Sequence, residues 1–138
     1  MKLKIQNSNK EANGDLTITG SKSESNRLLI IQALYPQIEI HNLSKSDDSK
    51  VTLEGLKSKK NVIDINHAGT AMRFLTAYFA IQPHREIILT GSNRMRERPI
   101  KLLVEALNSL GADITYEKEP GFPPLIIRGK EISINRVS

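Results

Sequence analysis

Short β-branched runs alternate along this chain with stretches of helical periodicity, and the joints between them are rich in Gly, Ser, Thr, Asn and Pro. Such alternation specifies a layered α/β or α+β fold, because each strand and each helix must bury one face against the other kind of element. Val62-Ile63-Asp64-Ile65 and Ile87-Ile88-Leu89 read as strands. Between them a helix from about Ala71 to Ile81 carries Met72, Leu75 and Phe79 on one face, and Pro83 stops it. The clearest element follows: Pro99 suits the first helical position, and Ile100, Leu103, Val104, Leu107 and Leu110 keep i, i+3, i+4 spacing until Gly111. Two closing strands, Asp113 to Tyr116 and Leu125 to Ile127, flank a Pro/Gly turn at Pro120 to Pro124, and Ile132-Ser133-Ile134 is a candidate for one more.

The first third reads less regularly. Leu3-Lys4-Ile5 and Leu16-Thr17-Ile18 alternate around Asn13-Gly14-Asp15 as an out-and-back pair of strands. Leu28, Leu29, Ile30, Ile31, Ala33 and Leu34 leave almost no polar face, which predicts a helix buried on most sides and ended before Pro36. Ile38-Glu39-Ile40 is then a short strand, followed by a helix capped by Ser46 or Asp47 that Gly55, Val51 and Thr52 weaken. Thr19-Gly20-Ser21 recurs as Thr90-Gly91-Ser92, each copy placed between a strand and an apolar helix. The recurrence predicts that Leu16 to Ile40 and Ile87 to Tyr116 superpose as strand, turn, helix, strand.

Composition narrows the functional classes. A length of 138 residues with 38% hydrophobic content fits one domain, and the lack of cysteine excludes a disulfide framework, a thiolate nucleophile and a Cys-ligated zinc. The start at Met1 shows no signal pattern and no apolar run nears the roughly 20 residues of a membrane span, so a cytoplasmic protein is expected. A net charge of +5 raises nucleic acid as a partner, but aromatic content is only 4% and no basic stretch is interleaved with aromatics. Lys57-Ser58-Lys59-Lys60 reads as a solvated helix end instead. Neither His41 nor His84 has a metal-spaced partner, Asp47-Asp48 lacks the further oxygens of a cation loop, and the Gly-rich nucleotide fingerprints are absent. No nucleic acid, membrane, metal or cofactor is expected.

Three segments point instead to small, highly charged anions. Thr19 to Arg27, His67-Ala68-Gly69-Thr70 with Arg73, and Thr90 to Pro99 each bring cations or free backbone N–H groups to the start of a helix, where anions are stabilised. A Thr-Gly-Ser turn alone is ordinary capping chemistry. Capping does not explain Lys22 and Arg27 beside a helix start, nor Arg94, Arg96 and Arg98 before Pro99; in an extended chain these three point partly the same way and repel unless paired or ligand-bound. Glu97 can pair with one of the arginines, and Glu24 with Lys22. His67 reads as a plain loop histidine rather than a base or an anion donor. One shared site requires Lys22, Arg27, Gly69 and Arg94 to line a common concavity.

Gly20-Ser21-Lys22-Ser23-Glu24-Ser25-Asn26-Arg27, Ala68-Gly69-Thr70-Ala71-Met72-Arg73 and Arg94-Met95-Arg96-Glu97-Arg98-Pro99 resemble, in order and spacing, the N-terminal signatures of the 5-enolpyruvylshikimate-3-phosphate synthase family (3-phosphoshikimate 1-carboxyvinyltransferases). The sister family that acts on a UDP-amino sugar is less similar, since it typically has Asn after the first lysine, where Ser23 stands here. The resemblance implies repeated βαβαββ-like units in an incomplete lobe over residues 1–138, with 1–19 belonging beside a second lobe. It also implies metal-free transfer of the enolpyruvyl group from phosphoenolpyruvate to the 5-hydroxyl of shikimate 3-phosphate, in aromatic amino acid biosynthesis. By that analogy Lys22, Ser23 and Arg27 bind shikimate 3-phosphate, while Lys22, Gly69 and Arg94 bind phosphoenolpyruvate and Lys22 is catalytic. Arg73, Arg96, Glu97 and Arg98 are expected to be structural supports. The sequence departs from the family at Glu24, Ser49, His67 and Phe74. Family members carry a second lobe with further catalytic carboxylates and cations, which implies that the lobe acts in trans or that this chain alone is inactive. A non-catalytic anion-binding module is the alternative.

Overall fold

The computed structural model describes residues 14, 15 and 17–132. In chain order its elements are α1 (Lys22–Leu34), α2 (Asp47–Lys57), β1 (Val62–Asp64), α3 (Gly69–Ala80), β2 (Glu86–Thr90), α4 (Asn93–Arg96), α5 (Lys101–Ser109), β3 (Asp113–Tyr116) and β4 (Leu125–Arg128). One four-stranded mixed sheet runs β1-β2-β4-β3. β1 and β2 are parallel, with Val62 opposite Ile88 and Ile63 opposite Leu89, and the crossover between them is α3. β4 returns antiparallel to both β2 and β3. From β1 to β4 the chain thus completes a βαβαββ unit, so the expected mixed α/β class stands.

The period-2 pattern of the strands explains where the core lies. Ile63, Ile87, Leu89, Ile114, Leu125 and Ile127 are buried while their neighbours along the strands are less so, which places one apolar face of the sheet inward. Met72, Leu75 and Phe79 of α3 meet that face. α3 packs on β2 and β4 and also on α1, α2 and α5, which accounts for its being apolar nearly all round. Gly55 of α2 has a constructive role here. A Cβ at that position would come within 2.6 Å of Leu75 Cδ1, so the glycine that lowers the helix propensity of α2 also lets α2 close onto α3. Ser46 caps α2 as expected, accepting from the Ser49 N–H.

Several expectations are corrected. α1 is not buried on most sides: only Ser25, Asn26 and Leu29 are buried, and Leu28, Ile31 and Leu34 keep about two-fifths of their surface in solvent (38%, 41% and 40%). The helix surrounded by neighbours is α3, the crossover of the βαβ unit. Ile38 to Ile40 forms no strand. Pro99 precedes α5 instead of opening it. A one-turn helix, α4, occupies the start of the basic segment, and α5 begins only at Lys101 after Ile100 as N-cap. Gly111, at φ 103°, turns the chain after α5 into β3. Thr17 and Ile18 are in no strand, so the first copy of the supposed repeat lacks its sheet portion among the described residues. The strands read at Leu3-Lys4-Ile5, Leu16 and Ser133-Ile134 lie outside the described residues, while Ile132 packs on the core without joining the sheet.

Candidate anion site

The parallel pairing of β1 and β2 sets their carboxyl ends side by side, and the loops that leave those ends build the site. After β1, the Asp64 carboxylate accepts the Asn66 N–H at 2.7 Å and Asn66 turns at φ 51°, which directs the chain into α3. After β2, the Ser92 N–H donates to the Asn66 carbonyl at 2.9 Å, and the Ile65 N–H donates to the Thr90 carbonyl at 3.0 Å. The two loops are therefore fixed to each other by backbone hydrogen bonds. Such a crevice outside the carboxyl ends of parallel strands is where α/β sheets hold ligands.

α3 opens at Gly69 with no side-chain cap, since Ala68 occupies the N-cap position. Its first N–H groups lack intrahelical acceptors and stand at the positive end of the macrodipole. Lys22, Arg27, Arg73 and Arg98 gather with His67, Gly69, Thr70 and a single carboxylate, Asp48, around a concavity of about 440 Å³. An adjoining concavity of about 620 Å³ is lined by His67, Ser92, Arg94, Met95 and Arg98. Lys22, Arg27 and Gly69 therefore share one hollow, and Arg94 lines the next. His67 and Arg98 belong to both.

Most of the cations are held in place by local contacts. Ser23 lines neither hollow; its hydroxyl and carbonyl accept from Arg27 Nη1 at 2.6 and 2.8 Å, and the Arg27 guanidinium lies 5.5 Å from the Phe74 ring centre. Arg73 donates to the Gly69 carbonyl at 3.2 Å and the Pro99 carbonyl at 3.3 Å, tying the start of α3 to the segment before α5. Arg96 donates to the Gly91 carbonyl at 3.0 Å. Arg73 and Arg96 thus have the supporting contacts expected of them. The expected partners differ, however: Lys22 Nζ lies 3.7 Å from Asp48 on α2 and forms no ion pair with Glu24, and Glu97 pairs with none of the arginines among the described residues.

The extended, alternating arrangement read for Arg94, Arg96 and Arg98 is replaced by the helical turn of α4, whose N-cap Ser92 accepts the Met95 N–H at 3.4 Å. One turn sets Arg94 and Arg98, four residues apart, on the concavity, and turns Arg96 back onto the backbone. The sequence pattern alone does not place Asp48, His67 and Arg98 on the walls of the hollows, where the fold sets them. His67 is a loop residue, as expected, and stands between the hollows with its Nδ1 3.0 Å from Asn66 Oδ1. Asp48 gave the signal of an acidic helix start, but its contact with Lys22 depends on the packing of α1 on α2.

Beyond Arg27 and Phe74 the surface changes character. Ile30, Ile31, Leu34, Ala77, Tyr78 and Ile81 line an apolar groove of about 370 Å³ between α1 and α3. Among the described residues no helix is long and apolar enough to cross a membrane.

Residues 56–138 match the family model described as EPSP synthase (3-phosphoshikimate 1-carboxyvinyltransferase). A 3-phosphoshikimate 1-carboxyvinyltransferase of Bacteroides fragilis is 48% identical over 124 residues, covering 89% of this chain and 30% of the relative. One from Haemophilus influenzae is 40% identical over 153 residues, covering 90% and 35%. The chain thus spans about a third of the length of these curated relatives. A solved EPSP synthase from Acinetobacter baumannii superposes on 85% of this chain with a TM-score of 0.67 at 22% identity, covering 32% of that structure, which is a likeness of fold.

Proposed function

Since this chain belongs to the EPSP synthase family, we propose that it supplies one side of an active site that transfers the enolpyruvyl group of phosphoenolpyruvate to the 5-hydroxyl of shikimate 3-phosphate, in the shikimate route to aromatic amino acids. The observation that carries this reading is the convergence of Lys22, Arg27, Arg73 and Arg98 on the uncapped start of α3, with Asp48 the one carboxylate opposing them among the described residues. Two multiply charged anions repel each other, so bringing them into reacting distance requires fixed cations and N–H donors arranged beforehand.

Lys22 and Arg27 hold shikimate 3-phosphate, and Ser23 acts with them by fixing Arg27. Lys22, Gly69 and Arg94 hold phosphoenolpyruvate, and Lys22, facing both substrates, is the catalytic cation. A side chain at position 69 would displace the Arg98 guanidinium, whose Nη1 lies 2.6 Å from where a Cβ would stand. Asp48 neutralises Lys22 across the hollow until an anion replaces it. Turnover also needs the proton-transfer groups and the closing second lobe of the longer relatives, in the same protein or in trans, because both hollows open to solvent on this side.

Phosphate release tests this reading. The chain together with the second lobe, in the same protein or added as a separate chain, should release phosphate only when phosphoenolpyruvate and shikimate 3-phosphate are both present, and Lys22→Ala should lower the rate by about 100-fold or more. The 138-residue chain alone should bind weakly and release none. Robust release by that chain alone, or none once the second lobe is present with it, would overturn the assignment.

A further inference from the structure

We propose that Arg98 is a substrate-binding residue, the anion contact at the junction of the two hollows, where it grips phosphoenolpyruvate. The inference rests on the function proposed above and extends its residue set. The residues assigned to that substrate are split: Lys22 and Gly69 line one hollow, Arg94 lines the other, and only His67 and Arg98 line both. An anion that touches all three must span the junction that His67 and Arg98 form, and of these two Arg98 carries the fixed positive charge.

The local chemistry of Arg98 points the same way. Its Nη1, Cζ and Nη2 lie 2.6, 3.2 and 3.4 Å from the position a Gly69 Cβ would take, so the whole guanidinium plane covers the start of α3. A cation set on the positive end of a helix is destabilised unless an anion joins it. Among the described residues Arg98 forms no ion pair and no side-chain hydrogen bond. Its neighbours are satisfied differently: Arg73 donates to two carbonyls, Arg96 to one, and Lys22 faces Asp48. A purely structural arginine has structural acceptors, and Arg98 has none among the described residues. Its planar fork suits bidentate capture of phosphate or carboxylate.

The test compares Arg98→Ala, Arg98→Lys and Arg73→Ala with the unaltered protein, by steady-state kinetics with the second lobe present, in the same protein or in trans, by calorimetric titration with phosphoenolpyruvate and by thermal melting. Arg98→Ala should raise the KM and Kd for phosphoenolpyruvate by about 10–100-fold, the range for losing a charge-assisted contact. The KM for shikimate 3-phosphate should move less than about threefold. The melting temperature should hold or rise, because a repelled cation has gone. Arg98→Lys should recover part of the affinity, and Arg73→Ala should lower the melting temperature. Unchanged phosphoenolpyruvate affinity in Arg98→Ala, with Lys22→Ala still impaired, would overturn the role of Arg98 alone. An unaltered protein that binds neither anion would overturn the functional reading and this inference with it.

Discussion

The two Thr-Gly-Ser turns perform the same local task and lead to different structures. Ser21 accepts the Glu24 N–H and Ser92 the Met95 N–H, each at 3.4 Å, so both serines cap a helix. Gly20 and Gly91 also match in their surroundings. A Cβ at Gly20 would run into the Asn42 carbonyl and one at Gly91 into the Asn66 carbonyl, and both asparagines have positive φ, 56° and 51°. Outside those few residues the likeness ends. Ser21 opens the 13-residue α1, whereas Ser92 opens the 4-residue α4. Thr90 ends a strand paired on both sides, while Ile18 is 71% exposed and in no strand. Capping is a property of three or four residues, but a strand exists only when a neighbouring backbone accepts its hydrogen bonds.

The largest expected effect separates the two regions by burial. Leu89→Ala, beside the second turn, should cost about 2–5 kcal/mol in denaturant unfolding, since Leu89 is fully buried. Ile31→Ala on α1, at 41% exposure, should cost less than about 1 kcal/mol. Similar losses at both positions would show that α1 is covered in solution. Next come the glycines: Gly91→Ala and Gly20→Ala should each destabilise by about 1–3 kcal/mol, because the new methyl group meets backbone that has no room to yield. Gly91 is crowded by Met95 Cβ and Cγ as well, at 2.9 and 2.8 Å, while Gly20 makes the closer approach to a backbone carbonyl. A silent Gly20→Ala would mean that the first turn is not held against Asn42. Smallest are the caps, where Ser21→Ala should cost about 1 kcal/mol and Ser92→Ala less, given how little helix follows Ser92; helical circular dichroism during melting reads the difference. Equal losses would restore the closer repeat expected from the sequence.

These contrasts mark what could be read in advance. Val62 to Arg128 was legible because its strands alternate cleanly and α3 and α5 keep a 3.6-residue period. The cationic segments were legible because like charges at helix starts have few structural uses. What escaped was decided by tertiary packing. The apolar run of α1 fits a buried helix equally well, and only the arrangement of α1 and α2 on α3 reveals that one flank is left open. In sequence Arg98 cannot be told from Arg73 and Arg96, whose carbonyl contacts only the fold reveals, and α4 delays the start of α5 to Lys101, two residues past Pro99.

Mapping where phosphoenolpyruvate binds tests most directly the claim that the cationic crevice, and not the apolar groove beside it, is the functional surface. Amide NMR shifts of the protein, followed as phosphoenolpyruvate is added at low salt, should move most at Gly69, Thr70 and Arg94 to Arg98, should stay still from Ile30 to Tyr35, and should weaken as added salt screens the open site. Shifts centred on the α1/α3 groove, or none at Gly69 and Thr70 at saturating ligand, would contradict it.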